Sequence, residues 1–539
     1  MINKHLLSAL FACSMGYVFA QNTPNIGQVS GNFEVRAQSY RTDTLIGAPE
    51  VPESLLMNGF ANINYNYGKF SAGMRYESYQ NALLGYAPEY KGNGIPYRYA
   101  KYSGDNLEVT AGNFYEQFGN GQILRTYEER GLGIDNSIDG FRVKYYLKGI
   151  ELTGLIGQQR WYFDQSPGIV RGGNVNVYLN QLFESFESSK HRLNLGASVT
   201  SKYQDDNNPL LVLPENVLAY DVRFDYQFGN FSWNAEYSYK HNDPSADNGF
   251  IYKNGQMLST TLGYSKKGLG ITVGAHTLDN MFYRSDRNNS SQFQDMVINF
   301  VPALTKPHTY NLMATLYPYA TQPNGEIAYQ IDVVKKINKK NGISFNLSWA
   351  NSIDTTNLND LDTDRQGYES NLFKPGDTKY WQDINIYWKH KFDRNNKLTV
   401  VYQNLFYNKN IIEGKVGADD VNANVGIIDF LHKIDRKHSI RTELQALFTE
   451  EDLGDWATIL IEYNYSPHWF VSVMDQYNYG NPDEARRVHY FNGSVGYINN
   501  STRITASYGR QREGLFCVGG VCRIVPASNG LTLTISSSF

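Results

Sequence analysis

The densest chemistry-bearing stretch of the chain runs from Phe114 to Gly121 and on through Arg125-Thr126-Tyr127-Glu128-Glu129-Arg130-Gly131-Leu132-Gly133-Ile134-Asp135-Asn136. Glycines, two arginines and several acids gather where regular alternation stops. Such a segment suits a loop that folds back into an enclosed space as a constriction. There Arg125 or Arg130 would pair with Glu128, Glu129 or Asp135, because guanidinium–carboxylate forks fix geometry as well as charge. The alternative is a solvated external loop. No Gly-Lys-Ser/Thr follows and no βαβ pattern surrounds it, so a phosphate-binding loop is excluded. A second candidate, Asp360-Leu361-Asp362-Thr363-Asp364, spaces carboxylates like the first ligands of a calcium loop. Arg365 stands where the sharp-turn glycine belongs and Asn371 where the closing glutamate belongs, so a solvated acidic loop is expected and no metal site.

Cys517 and Cys522 enclose Val518-Gly519-Gly520-Val521, and in an exported chain this pair is expected to form a disulfide. A redox CxxC or a zinc knuckle fits less well, since the spacing is four and a second ligand pair is missing. His432 and His438 flank Asp435-Arg436-Lys437 and read as turn residues rather than a general base. GxSxG, HExxH and CxxC are all absent from the sequence. Neither a catalytic residue nor a cofactor is expected.

The elements that must position these residues repeat with period two. Tyr220, Val222, Phe224, Tyr226 and Phe228 alternate with Asp221, Arg223, Asp225 and Gln227. After Gly229-Asn230 the pattern resumes, with Phe231, Trp233 and Ala235 opposing Ser232, Asn234 and Glu236, which predicts a tight hairpin. A charge at the bilayer midplane costs about 2–4 kcal/mol. Asp221, Arg223, Asp225, Glu236, Arg142 and Lys144 are therefore expected to line a wet lumen, with Tyr220, Val222, Phe224, Trp233 and Val143 facing lipid.

Composition supports that choice. At 19% charged and 14% aromatic residues over 539 positions, the chain has fewer charges than the roughly 25% of soluble domains. It also lacks the run of about 20 apolar residues that a membrane helix needs. The expected class is all-β, a single large transmembrane antiparallel barrel with no separate plug domain, and a soluble solenoid or propeller is the alternative. A net charge of −4 gives no reason to expect a nucleic-acid partner.

Lys4 and His5 precede the apolar stretch Leu6 to Phe19, and Val18-Phe19-Ala20 offers a cleavage site, so residues 1–20 read as a signal peptide and 21–539 as the barrel. Leu10-Phe11-Ala12-Cys13 is a poorer, lipobox-like rival. Leu531, Leu533, Ile535 and Phe539 alternate with Thr and Ser to the last residue. This resembles the closing strand of bacterial outer-membrane barrels, whose terminal aromatic is read by the barrel-assembly machinery. Outer-membrane lipid, that machinery and envelope proteins are the expected partners. With both termini periplasmic, short turns are expected near Gly68, Gly104, Lys148, Ser188, Gly229, Lys266, Lys306, Lys339, Arg394, Arg436, Ser466 and Asn499. They imply about 26 strands, counting Phe293 to Val301 as one; loss of that segment or of Val175 to Phe183 leaves 24 or 22. Alternation beginning near Asn32 leaves little room for a large N-terminal plug or for periplasmic modules.

Two segments carry a resemblance. Phe114 to Gly140, with Gly119-Asn120-Gly121 and Tyr127-Glu128-Glu129-Arg130-Gly131, and Gly514 to Pro526, with both cysteines, resemble an uncharacterised family of Bacteroidota outer-membrane β-barrel proteins. The resemblance implies location and architecture and transfers no catalytic or ligand residue. It also implies O-glycosylation sequons at Asp43-Thr44-Leu45 and Asp354-Thr355-Thr356. Three functions follow in order: a porin-like channel or transporter for small polar solutes, a barrel subunit of a secretion or assembly machine, and an outer-membrane enzyme.

Overall fold

The computed structural model describes residues 27–539 apart from 290–294, 309–311, 359–364 and 519–520. Residues 1–20, expected to be a signal peptide, with Cys13, and the Asp360 to Asp364 calcium candidate therefore lie outside the described residues. Twenty-four antiparallel strands follow one another around a closed meander. The first, Gln28–Tyr40, pairs with Leu56–Tyr67 on one side and with the last, Ser528–Ser538, on the other. Closure leaves the barrel sheet without an edge. No helix among the described residues is long and apolar enough to cross a membrane; spanning falls to the strands.

The hairpin of Asn216–Phe228 and Phe231–Lys240 shows why these sequences form this wall. Phe228 pairs with Phe231 across Gly229-Asn230, and Gly229 takes φ +57°, which the two-residue turn requires. On the outer face Val222 is 55% exposed and Tyr220 and Trp233 are open, whereas the inward Asp221 and Glu236 are each 1% exposed. Such a belt of exposed apolar side chains around a closed barrel is what a bilayer covers. Cysteine scanning from Phe224 to Phe228 in membranes should make the exposed inward positions Asp225 and Gln227 reactive toward a water-soluble thiol reagent and leave Phe224, Tyr226 and Phe228 unreactive. Uniform reactivity would contradict the register.

The expected strand count is corrected from about 26 to 24. All but one of the anticipated turns fall on connections between paired neighbours at one end of the barrel. The exception, Lys306-Pro307, belongs to the long connection between Leu269–Asp279 and Gly325–Lys336. Residues 295–301 there form no barrel strand, and consecutive Met296, Val297 and Ile298 are all buried. A membrane strand would expose every second side chain to lipid. These residues pack on both sides inside the barrel, so their apolar character has a different cause. Val175 to Tyr178 completes the strand Asp164–Tyr178 and leads into a one-turn helix, Leu179–Leu182.

At the end carrying the long connections, Gly514–Val518 and Val521–Val525 form a small two-stranded ribbon in which Cys517 lies directly opposite Cys522. Opposed antiparallel residues have Cα atoms about 4.5–5.5 Å apart, inside the range a disulfide bridges. Thiol labelling of intact, non-reduced cells should leave both cysteines unmodified. Full modification without reductant would refute the bond.

Candidate functional site

Two connections turn inward and occupy the lumen. In the first, residues 115–137, a turn at Gly119-Asn120-Gly121 lies against the inner wall. The Asn120 N–H donates to Glu236 Oε2 at 2.7 Å, and Gln122 Nε2 donates to Ser259 Oγ at 2.6 Å. Gly119 has φ +51°, and a Cβ there would stand 2.4 Å from that same Glu236 oxygen, so a side chain would take a strained backbone and displace the carboxylate that accepts from Asn120.

The other limb is held by charge. Arg160, on the strand Ile150–Trp161, donates to both Glu77 oxygens at 2.8 and 2.7 Å and to Asp135 Oδ2 at 2.7 Å. Arg75, on Phe70–Asn81, contacts Glu77 at 2.6 Å, Glu128 at 2.9 Å and Asp135. Arg130 closes the network on Glu128 at 2.6 Å. Three guanidinium groups thus face three carboxylates, and Arg75, Glu77, Arg160 and Asp135 are all buried in their side chains. Burial pushes the Asp135 carboxyl up, yet Arg160, Arg75 and the Ser137 N–H together hold it below the ordinary aspartate value. Asp135 is therefore the ionised loop partner of the wall guanidinium groups Arg75 and Arg160.

The described residues of the second connection, 280–289, 295–308 and 312–324, pack against another arc. Tyr283 donates to Val217 O at 2.8 Å, and His308 bridges Asp383 at 2.9 Å and Tyr387 at 2.8 Å. Tyr319 donates to Glu326 at 2.6 Å. Leu312, Met313, Leu316 and Tyr317 enter an apolar cluster with Trp381, Leu405, Tyr407, Val421 and Leu447 of the wall. The two segments also meet: Arg125 N donates to Ile298 O at 2.8 Å and Phe300 N to Gly121 O at 3.0 Å. Nearer the short turns the lumen stays open. One hollow of about 580 Å³ is lined by Tyr97, Tyr99, Lys101 and Arg142, and another of about 740 Å³ by Lys148, Arg192, Asp225 and Glu184.

The family described as "Family of unknown function (DUF6029)" matches residues 1–539. The chain belongs to this family. No curated protein matches it. Among solved structures, this DUF6029 chain is similar to the siderophore receptor PirA from Pseudomonas aeruginosa, at 10% identity and TM-score 0.42, over 96% of this chain and 82% of that one. It is similar to the P pilus usher (PapC) translocation pore at 9% identity and TM-score 0.41, over 95% and 99% of the two chains. A third likeness, to OccAB4 of Acinetobacter baumannii, has 8% identity and TM-score 0.33, over 84% and 100%. At such values the likeness assigns neither substrate nor partner.

Of the residues singled out in the sequence of this DUF6029 member, the structure brings Glu128, Arg130 and Asp135 into one network. Arg125 joins no carboxylate in it and lies instead over the Phe300 ring, 4.2 Å from its centroid; Glu129 accepts from the Gly131 N–H at 3.0 Å. On the wall, Arg223 donates to Asp221 at 2.5 Å and to Ser198 at 2.7 Å. Asp221 and Glu236 point inward but are covered, and of that row Asp225 and Gln227 remain exposed. Arg142 contacts Glu108 at 2.7 Å and Glu116 at 3.0 Å, and Lys144 reaches Glu116 at 2.9 Å, so both support the base of the loop. Sequence reading missed Arg75, Glu77 and Arg160. Arg75-Tyr76-Glu77 does alternate in and out, and the inward arginine beside an inward acid was the available signal.

Proposed function

We propose that the chain is a bacterial outer-membrane channel or transporter for small polar solutes, non-enzymatic, whose lumen is closed at rest by residues 115–137 and 280–324. The observation that carries this reading is the buried clamp of Glu128 and Asp135 on Arg75 and Arg160. Buried ion networks are poor sources of net stability but strict about geometry, which suits a part that must sit in one place and still come away. The reading includes a cleaved leader over residues 1–20, both termini in the periplasm and long connections facing outward. It also includes a Bacteroidota source, implied by the likeness of Phe114 to Gly140 and Gly514 to Pro526. Of the lumen-facing charges, the exposed Asp225 would then meet the solute, with Arg142, Lys144 and Arg223, each paired to an acid of the protein, behind it.

Exposed Leu210, Val212, Phe373 and Val416, all at the long-connection end, favour a second reading, in which an envelope protein covers that end and the barrel serves a larger machine. Planar-bilayer recording separates the two. Deletion of Gly119 to Gly133 should raise single-channel conductance well above the wild-type trace. Unchanged conductance from a deleted protein that still migrates as a folded, heat-modifiable barrel would favour the machine subunit.

A further inference from the structure

Three consecutive short turns repeat one design. They join Gly325–Lys336 to Asn341–Asn357, Tyr368–Lys391 to Asn396–Tyr407, and Val421–Lys433 to His438–Phe448. Their sequences are Lys336-Ile337-Asn338-Lys339-Lys340, Lys391-Phe392-Asp393-Arg394-Asn395 and Lys433-Ile434-Asp435-Arg436-Lys437. In each, the third residue caps the turn: Asn338 accepts from the Lys340 and Asn341 N–H groups at 2.8 Å, Asp393 from Asn395 and Asn396 at 2.7 and 2.8 Å, Asp435 from Lys437 and His438 at 2.6 and 2.9 Å. Each also holds its second residue outward, with Ile337 53%, Phe392 48% and Ile434 52% exposed.

These apolar residues continue the lipid-facing row of their strands. Tyr329 and Ile331 lead by twos to Lys335 and Ile337; Ile386 and Trp388 lead to His390 and Phe392; Ile428 and Phe430 lead to His432 and Ile434. At alternate positions through each strand end and turn the three sequences read cation or histidine, apolar, cation: Lys335-Ile337-Lys339, His390-Phe392-Arg394 and His432-Ile434-Arg436, and Lys339, Arg394 and Arg436 are all exposed. His390 and His432 are fixed alike, each Nδ1 2.7 Å from the amide oxygen of Asn341 or Asn396 on the preceding, paired strand. Beside the third turn a hollow of about 360 Å³ is lined by Lys433, Arg436, Lys437 and Trp469.

Among the other turns at this end, the exposed Lys266-Lys267 carries two lysines with no apolar residue between them. Lys69 is spent on Asp105 at 2.8 Å and Lys148 on Glu184 at 3.6 Å, while Gly229-Asn230 is uncharged. The three turns together carry eight lysines and arginines against two carboxylates, Asp393 and Asp435, so the arc is positive.

We propose that this arc binds the phosphate headgroups of anionic phospholipid in the leaflet next to the short turns. An apolar residue flanked by cations at the edge of a lipid-facing row places one group among acyl chains and the others at headgroup depth. Lipid is the occupant the geometry favours, because the apolar residues follow the lipid face and not the lumen. The inference rests on the membrane reading of the barrel and is independent of whether the barrel conducts.

Native mass spectrometry of the purified barrel in detergent, titrated with phosphatidylglycerol or phosphatidylcholine, tests it. The wild type should retain phosphatidylglycerol in preference, and Lys339→Gln with Arg394→Gln and Arg436→Gln should lower that retention at least fivefold. A control carrying Lys148→Gln, Lys190→Gln and Arg192→Gln at the same end should retain it as the wild type does. Equal loss in both variants, or equal retention of the two lipids, would overturn the proposal. Inorganic phosphate bound as well as phosphatidylglycerol would assign a free anion instead. Loss of a co-purifying envelope protein with lipid retention unchanged would assign a protein. Should the triple variant not migrate as a folded barrel, Lys339→Gln with Arg394→Gln carries the same comparison.

Discussion

Replacing Arg160 with alanine should unlatch residues 115–137 and turn a closed barrel into a conducting one. The guanidinium makes three charge-assisted contacts, two to Glu77 and one to Asp135, and its Nε also donates to Tyr162 O at 2.5 Å. Without it, two buried carboxylates must share Arg75, and leaving a buried charge without its partner costs about 3–5 kcal/mol. Glu77 sits on a barrel strand and cannot leave, whereas Asp135 belongs to a loop and can, so the loop is the part that yields. Single-channel recording should show larger and more frequent openings than in the wild type. Arg160→Lys should fall between the two, since it keeps the charge and loses the fork. A folded, heat-modifiable Arg160→Ala barrel that remains silent would remove the clamp from the gating account.

The second segment should respond to Tyr317→Ala. Tyr317 is fully buried, its ring lies 5.3 Å from that of Tyr407, and its hydroxyl is 3.2 Å from Asp452. Truncating a large buried aromatic costs about 3–5 kcal/mol. Most of that loss falls on residues 306–324, because the rest of the cluster is built from paired barrel strands. Tyr317→Phe keeps the ring and gives up one hydrogen bond, a loss of about 1 kcal/mol, and should leave conductance as it was. The two segments touch largely different arcs of the wall, so the openings caused by Arg160→Ala and Tyr317→Ala should add. A double variant no more conductive than either single one would mean that the segments move as one body.

The wall was legible in the sequence because lipid on one side and water or protein on the other impose a period of two, as Tyr220 to Phe228 shows. The same rule failed inside the barrel. Residues 295–301 are apolar and follow a long connection, and nothing in a one-dimensional pattern says that both of their sides meet protein. Counting them as a strand and Lys306-Pro307 as a turn added one hairpin that the structure lacks. The inward acids Glu128 and Asp135 were recognisable from composition alone. Their wall partners Arg75 and Arg160 were not, since each lies on another strand and meets the loop only once the neighbouring strands have paired in register.

Closure also orders events in time. Each short-turn hairpin can zip as soon as its two strands are available, but the seam of Asn32 with Ser538 joins opposite ends of the chain. Bringing such distant residues together costs roughly 3 kcal/mol more conformational entropy than a local hairpin, a modest figure for the ring as a whole. The constraint is one of sequence rather than of energy: the first strand must keep an unsatisfied edge until the last has been delivered. During that interval Gln28–Tyr40 is a template for any passing strand, including one from another copy, and a chaperone or assembly factor that shields it would govern the yield of intact rings.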